Sequence, residues 1–112
     1  NRIVIFAAGT GNPFFSTDTS ASLRASELDC SLIIKATKVN GIYSKDPEKD
    51  KSAKLIKKIG YTEVIKRNLK VMDLTAISLA KDSNIPIYIT NIFKKNSLIS
   101  VLKHKGEYSR IG

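Results

Sequence analysis

The sequence predicts an α/β fold, a layered α/β sandwich built on a mainly parallel sheet. Apolar, β-branched runs at residues 3–8, 32–36 and 87–90 alternate with segments whose apolar residues recur at helical spacing. The first run is apolar at every position, the pattern of a strand covered on both faces, and such strands lie inside parallel sheets. Each of the first two runs passes into a glycine-containing loop.

In chain order, the strand at 3–8 is broken by Gly9, Gly11 and Pro13, and Ser16, Thr17 and Asp18 offer side chains that cap a helix running to about residue 29. Ala21, Ala25 and Leu28 fall on one face of that helix, and the small Ser22 and Ser26 beside them allow a close approach to the sheet. Residues 32–36 form a second buried strand. Residues 1–36 are thus predicted to make a strand, loop, helix, strand unit with a right-handed parallel crossover. Residues 45–58 are polar and lysine-rich with a turn at Asp46-Pro47, and are predicted to run over the surface. Residues 61–65 open a short helix with Thr62 as its cap. Residues 73–82 form another with Leu74, Ile77 and Ala80 inward, stopped at Asn84. Pro86 starts the third strand, Ser97 caps a last helix with Leu98, Val101 and Leu102 inward, and residues 108–111 are predicted as a final edge strand.

A chain of 112 residues holds one small domain, enough for a single core but too short for a two-lobed enzyme with a cleft between the lobes. The single Cys30 excludes an internal disulfide. With no cleavage pattern of a signal peptide after the apolar start, it predicts a reducing, cytoplasmic location. No apolar run approaches the ~18 residues of a membrane span, so no membrane partner is predicted. The formal net charge of +9 raises nucleic acid as a partner. Its distribution argues against one: residues 1–44 carry net +1 and residues 45–112 net +8, Lys outnumbers Arg fifteen to four, and no aromatic residues are interleaved with the lysines as a stacking platform. The excess is read as solvated surface.

The loop at 9–18 leaves the carboxyl end of a predicted strand and enters a helix N-terminus. Ligands of open α/β sheets bind there, and free backbone N–H groups favour anions. Gly9 and Gly11 permit unusual backbone angles and close approach of a phosphate. The string lacks the Lys and Ser/Thr of a P-loop, and its third glycine would fall on Phe14, which disfavours a dinucleotide fold. On spacing alone, a phosphate site and an ordinary strand-to-helix turn stay equally open. Phe14 and Phe15 are core plugs in one case. In the other they are rings beside a base or sugar, with Asn12 and Thr17 supplying hydrogen bonds. A second constellation offers Thr37 and Asn40 to hydrogen-bond a nucleotide, Tyr43 to stack on a base and Asp46 to accept from a ribose hydroxyl. Asn40-Gly41 and Asp46-Pro47 are turn formers as well, and Tyr43 a packing residue.

Three strings carry a resemblance. Gly9-Thr10-Gly11-Asn12-Pro13-Phe14-Phe15-Ser16-Thr17-Asp18, then Lys35-Ala36-Thr37-Lys38-Val39-Asn40-Gly41-Ile42-Tyr43 with Asp46-Pro47, then Leu69-Lys70-Val71-Met72-Asp73-Leu74 resemble the bacterial uridylate (UMP) kinases of the amino-acid kinase superfamily. The likeness spans essentially all of the chain.

The resemblance implies transfer of the γ-phosphoryl of ATP to UMP, giving UDP and ADP, with Mg²⁺ accompanying ATP. It implies that Thr10, Gly11, Asn12, Pro13, Phe14, Phe15, Ser16 and Thr17 line the UMP site, with Asn12 and Thr17 contacting the nucleotide and both phenylalanines shaping the pocket. Ser16 stands where Thr is common and keeps a hydroxyl. Thr37, Asn40, Tyr43 and Asp46 match positions that hold ATP; Asn40 replaces a common Asp, losing a charge while keeping hydrogen-bonding capacity. Asp18 and Asp73 are assigned to orientation and electrostatics at the catalytic centre, with helix capping as the competing role. No protein metal site is implied. Family members run to more than twice this length and begin with a glycine-rich loop and a catalytic lysine. Residues 1–112 are therefore expected to be the C-terminal nucleotide-binding part, lacking that N-terminal part and inactive alone. Family members are commonly homohexamers with GTP and UTP as effectors. Competing readings are another kinase of the superfamily acting on carbamate, glutamate or aspartate, a basic nucleic-acid-binding module, and a catalytically silent nucleotide-binding or assembly fragment.

Overall fold

The computed structural model describes residues 2–112. Its first regular element grows from Ser16, whose extended backbone and hydroxyl, accepting from the Thr19 N–H at 3.1 Å, start α1 (Thr17–Glu27). Ser22 and Ala25 are buried on its inner face. The chain then enters β1 (Ile33–Thr37). β2 (Ile42–Tyr43) and β3 (Leu55–Ile56) pair as an antiparallel ribbon that brackets the lysine-rich loop. β4 (Lys58–Ile59) leads through Gly60 into α2 (Tyr61–Lys66), and α3 (Leu74–Asp82) follows with Asp73 as its cap. β5 (Ile87–Asn91), α4 (Ser97–Leu102) and β6 (Ser109–Ile111) complete the chain.

The main sheet has the order β1-β5-β6-β4. β1 runs parallel to β5 with Ile33 opposite Ile87, and β4 parallel to β6, while β5 and β6 are antiparallel. The sheet is mainly parallel, as the sequence predicts. Side chains alternate across it. Ile33, Ile87, Ile89 and Ile111 turn to one face and join Ala25, Val64, Ile77 and Ala80 of the three helices α1, α2 and α3 in one core. Tyr88 turns to the other face, where α4 packs against β5. No helix among the described residues is long and apolar enough to cross a membrane.

Residues 3–8 correct the sequence reading, for they form no strand: Ile3 is 96% and Ile5 88% exposed. An all-apolar strand needs a ladder at its edge and a layer on each face. β propensity without those contacts does not hold the backbone. The predicted crossover between that strand and β1 is therefore not formed, and β1 lies at the edge of the sheet.

Smaller corrections have local causes. Gly60, not Thr62, is the N-cap of α2, and no side chain bonds there. Asn96, left-handed at φ 61°, precedes α4, so Ser97 is its first residue instead of its cap. Leu74, Leu98 and Leu102 are exposed, whereas Ile77, Ala80 and Val101 are buried as predicted. β6 is not an edge strand, because β4, hidden at the end of the lysine-rich stretch, pairs along its outer side.

Candidate active site

The loop, β1 and the turn at 68–73 meet where α1 and α3 begin. Within the loop Ala8, Gly9, Gly11 and Phe14 all have positive φ, which the two glycines accept without strain. The Gly11 N–H donates to the Ala8 carbonyl at 3.3 Å, and the Asn12 N–H to Thr10 Oγ1 at 3.1 Å. Asn12 Nδ2 donates to the Thr10 carbonyl at 3.4 Å, so Thr10 and Asn12 brace one another. Phe14 is fully exposed and Phe15 half-exposed; neither plugs the core. Thr17 and Gly9 face a groove of about 600 Å³ between α1 and β1, where the Arg24 guanidinium lies 5.7 Å from the ring centre of Phe6.

Asp73 ties the two helix starts together. Its carboxylate accepts from the Ala76 N–H at 2.9 Å, from Thr19 Oγ1 at 3.0 Å and from Ser16 Oγ. Burial pushes its carboxyl up, but the hydrogen bonds from Ser16, Ala76 and Thr19, aided by the charge of Lys35, outweigh that and hold it below the ordinary carboxylate range. Asp18, in the first turn of α1, accepts from Lys35 Nζ through both oxygens, at 2.8 and 3.0 Å, and Lys35 also donates to the Val71 carbonyl at 2.7 Å.

Asp18, Lys35, Lys70 and Asp73 border an open hollow of about 390 Å³ that runs along residues 68–74. A second hollow of about 430 Å³ shares residues 68–71 with it and is lined by Tyr43 and Asp46. Residues 68–71 thus form a common wall between a site with two carboxylates and a lysine and a site with an aromatic ring and a carboxylate. Among the described residues, no cluster of three or more His, Cys, Asp or Glu is arranged to hold a metal ion.

A profile of the amino acid kinase family matches residues 1–91. The chain belongs to the amino acid kinase family. It is similar to the uridylate kinase of Campylobacter curvus, 56% identical over 101 residues, a match covering 90% of this chain and 42% of that protein. The uridylate kinase of Helicobacter hepaticus is 53% identical over 104 residues, covering 93% and 44%. Among solved structures, the UMP kinase from Ureaplasma parvum superposes with a TM-score of 0.88 at 37% identity, covering 93% of this chain and 45% of that one. The UMP kinase from Bacillus anthracis gives 0.85 at 32%, covering 93% and 43%. The chain spans less than half the length of these relatives. The family resemblance carried by the three motifs is thereby borne out, and with it the fold.

In this amino acid kinase chain, the geometry groups the motif residues differently from their order in sequence. Ser16 turns inward to Asp73, while Thr17 faces the groove beside β1. Tyr43 and Asp46 share one hollow. Thr37 and Asn40 are engaged near the strand end instead: the Thr37 carbonyl accepts from the Ile92 N–H at 2.8 Å, and Asn40 Oδ1 accepts from Asn91 Nδ2 at 3.0 Å. Asp46 also closes its own turn, accepting from the Glu48 N–H at 3.0 Å. Sequence reasoning missed Lys35 as a site residue. Its signal was a lone cation in the apolar string Leu32-Ile33-Ile34-Lys35-Ala36, two residues on from buried Ile33 and so on the helix-covered face.

Proposed function

We propose that this chain is the C-terminal nucleotide-binding part of a UMP kinase, which transfers the γ-phosphoryl of ATP to UMP. The observation that carries the reading is the Asp18–Lys35 pair, set at the start of α1 and opening on a hollow whose wall it shares with the Tyr43–Asp46 side. In the transfer, a phosphate oxygen of UMP bonds to the γ-phosphorus while the bond from that phosphorus to the ADP oxygen breaks. Such a reaction asks for position and positive charge more than for a strong base.

Lys35, its three donors held by Asp18 and the Val71 carbonyl, acts on the transferring group only through the field of its charge, and Asp18 fixes where its ammonium sits. Asp73, through Ser16 and Thr19, sets the first turn of α1, whose N–H groups attract a phosphate. The loop from Thr10 to Thr17 takes UMP. Tyr43 and Asp46 take the adenosine of ATP, with Thr37 and Asn40 at the adjoining strand end. Mg²⁺ enters as part of the ATP substrate, since both Asp18 oxygens already face Lys35 and Mg²⁺ is commonly carried on substrate phosphates. The remaining charge and the catalytic lysine come from the N-terminal part of the family's chain.

The test is an assay of the 112-residue chain with ATP, Mg²⁺ and UMP, alone and mixed with the complementary N-terminal part of the Campylobacter curvus relative. Alone it forms no UDP; mixed, it does, and the reconstituted enzyme assembles as a homohexamer that responds to GTP and UTP. UMP protects the chain from proteolysis where carbamate, glutamate and aspartate do not. Robust UDP formation by the chain alone, or protection by an acidic amino acid in place of UMP, would overturn the reading.

A further inference from the structure

The sheet face opposite the helical core carries a row of side chains that phosphoryl transfer leaves unused. Because β6 lies between β5 and β4, Tyr88, Arg110 and Lys58 stand side by side across three strands. The Arg110 guanidinium lies 5.9 Å from the Tyr88 ring centre, and Tyr108 stacks on Tyr88 at 5.0 Å with the rings 26° apart. His104, in the turn after α4, meets Tyr88 edge-on at 6.0 Å. Lys57, Lys58, Arg110, Tyr108 and His104 line a groove of about 610 Å³ there.

Two physical features suit this groove to an anion. Lys58 and Arg110 are neighbours across the parallel β4–β6 pair on one face, so their like charges repel unless a counter-charge lies between them. Among the described residues, Lys57, Lys58 and Arg110 make no salt bridge, and the groove's carboxylate, Glu107, is engaged by Lys94. Arg110 Nε donates to the Gly112 carbonyl at 2.7 Å, which holds the guanidinium in place. The groove also has the size of a small-molecule site and carries Tyr108 and His104, flat rings suited to stacking on a base. The fold brings Lys57 and Lys58 to His104, Tyr108 and Arg110, about fifty residues away in sequence, to form the platform.

We propose that this groove is a second nucleotide site, binding a nucleoside triphosphate with its phosphates on Lys57, Lys58 and Arg110 and its base against Tyr108 and His104. It lies on the face of the sheet away from the Asp18–Lys35 pair and does not depend on the reading of that pair. The test follows backbone amides of the ¹⁵N-labelled 112-residue chain during titration with ATP, tripolyphosphate, adenosine and a short single-stranded oligonucleotide. ATP moves the amides of residues 57–58 and 106–110 and binds there more tightly than tripolyphosphate or adenosine. Lys58→Glu weakens that binding roughly tenfold or more, while Lys58→Arg retains it. Lys58 is exposed, so the variants keep the fold, which their spectra verify directly. Tyr43→Ala leaves the groove shifts unchanged. ATP shifts confined to residues 37–46, an undiminished response in Lys58→Glu, or tripolyphosphate binding as tightly as ATP would overturn the second nucleotide site. So would an oligonucleotide that binds more tightly than ATP with steep salt dependence, which marks a nucleic-acid surface. Groove shifts without shifts at 37–46 would instead count against the ATP assignment of Tyr43 and Asp46 and leave the groove standing.

Discussion

Lys35 places its ammonium 2.8 and 3.0 Å from the two carboxylate oxygens of Asp18. Its remaining donor goes to the Val71 carbonyl at 2.7 Å, so all three protons have partners. With side chains only 25% and 27% exposed, the pair joins β1 to the first turn of α1 and to the turn before α3. It therefore ties three segments of the fold together at the edge of the open hollow.

Asp18→Asn leaves the Lys35 charge half-enclosed with a neutral partner. The loss of stability is expected at about 1–2 kcal/mol, between that of an exposed pair and a broken buried one, read from urea midpoints. Asp18→Asn combined with Lys35→Met should lose less than the sum of the single variants. Strict additivity would mean that the two side chains do not interact.

Asp73 supplies an acid-sensitive contact. With its carboxyl held below the ordinary range, the folded state binds fewer protons there than the unfolded chain. The stabilisation is fully present above the unfolded value of about 3.9 and is lost as pH falls through the lower folded value. Asp73→Ala removes the α3 cap and the bonds from Ser16 and Thr19, a loss of about 1–3 kcal/mol near neutrality. Denaturation midpoints measured from about pH 2 to 6 should fall less steeply with acid in the variant than in the parent.

Gly41 is required by space and not by a left-handed backbone. A Cβ there would collide with Ser109 Oγ and lie 2.9 Å from Leu55 Cδ1. Ser109 has no freedom to retreat, since its hydroxyl accepts from the Ile42 N–H at 2.7 Å and donates to the Ile56 carbonyl at 2.6 Å. Gly41→Ala should cost about 1–3 kcal/mol in thermal unfolding and shift the Tyr43–Asp46 hollow with it. Adding Ser109→Ala removes the Oγ clash but leaves the Ser109 backbone N–H 3.0 Å away, so rescue is partial.

Ile3, Ile5 and Phe14 face solvent and β1 is an edge strand, features that each promote association. Ile5→Lys should lower light scattering at high protein concentration while leaving the unfolding free energy within about 0.5 kcal/mol, because the side chain is 88% exposed and buries little. A large drop in stability would show that residue 5 is packed in solution.

Much of the fold was legible because its signals are local. Ser16 and Asp73 announced their helices through capping chemistry, Ile77, Ala80 and Val101 their buried faces, and the β-branched strings at 33–37 and 87–91 their strands. What misled was pattern without partner: residues 3–8 have the composition of a buried strand, and β4 is two residues long at the end of a lysine-rich stretch. The motif strings marked the family, but they did not show that Tyr43 and Asp46 share a hollow while Thr37 and Asn40 bond to Ile92 and Asn91.

The sequence by itself determined the α/β class, the starts of α1 and α3 and the family, since capping, periodicity and motif spacing act over a few residues. Tertiary structure decided which side chains converge: Lys35 on Asp18 across 17 positions, Ser16 on Asp73 across 57, and Lys58 beside Arg110 on a single face. Those meetings depend on sheet order and register, which arise only when distant segments bury one core together, and no local pattern of residues encodes them.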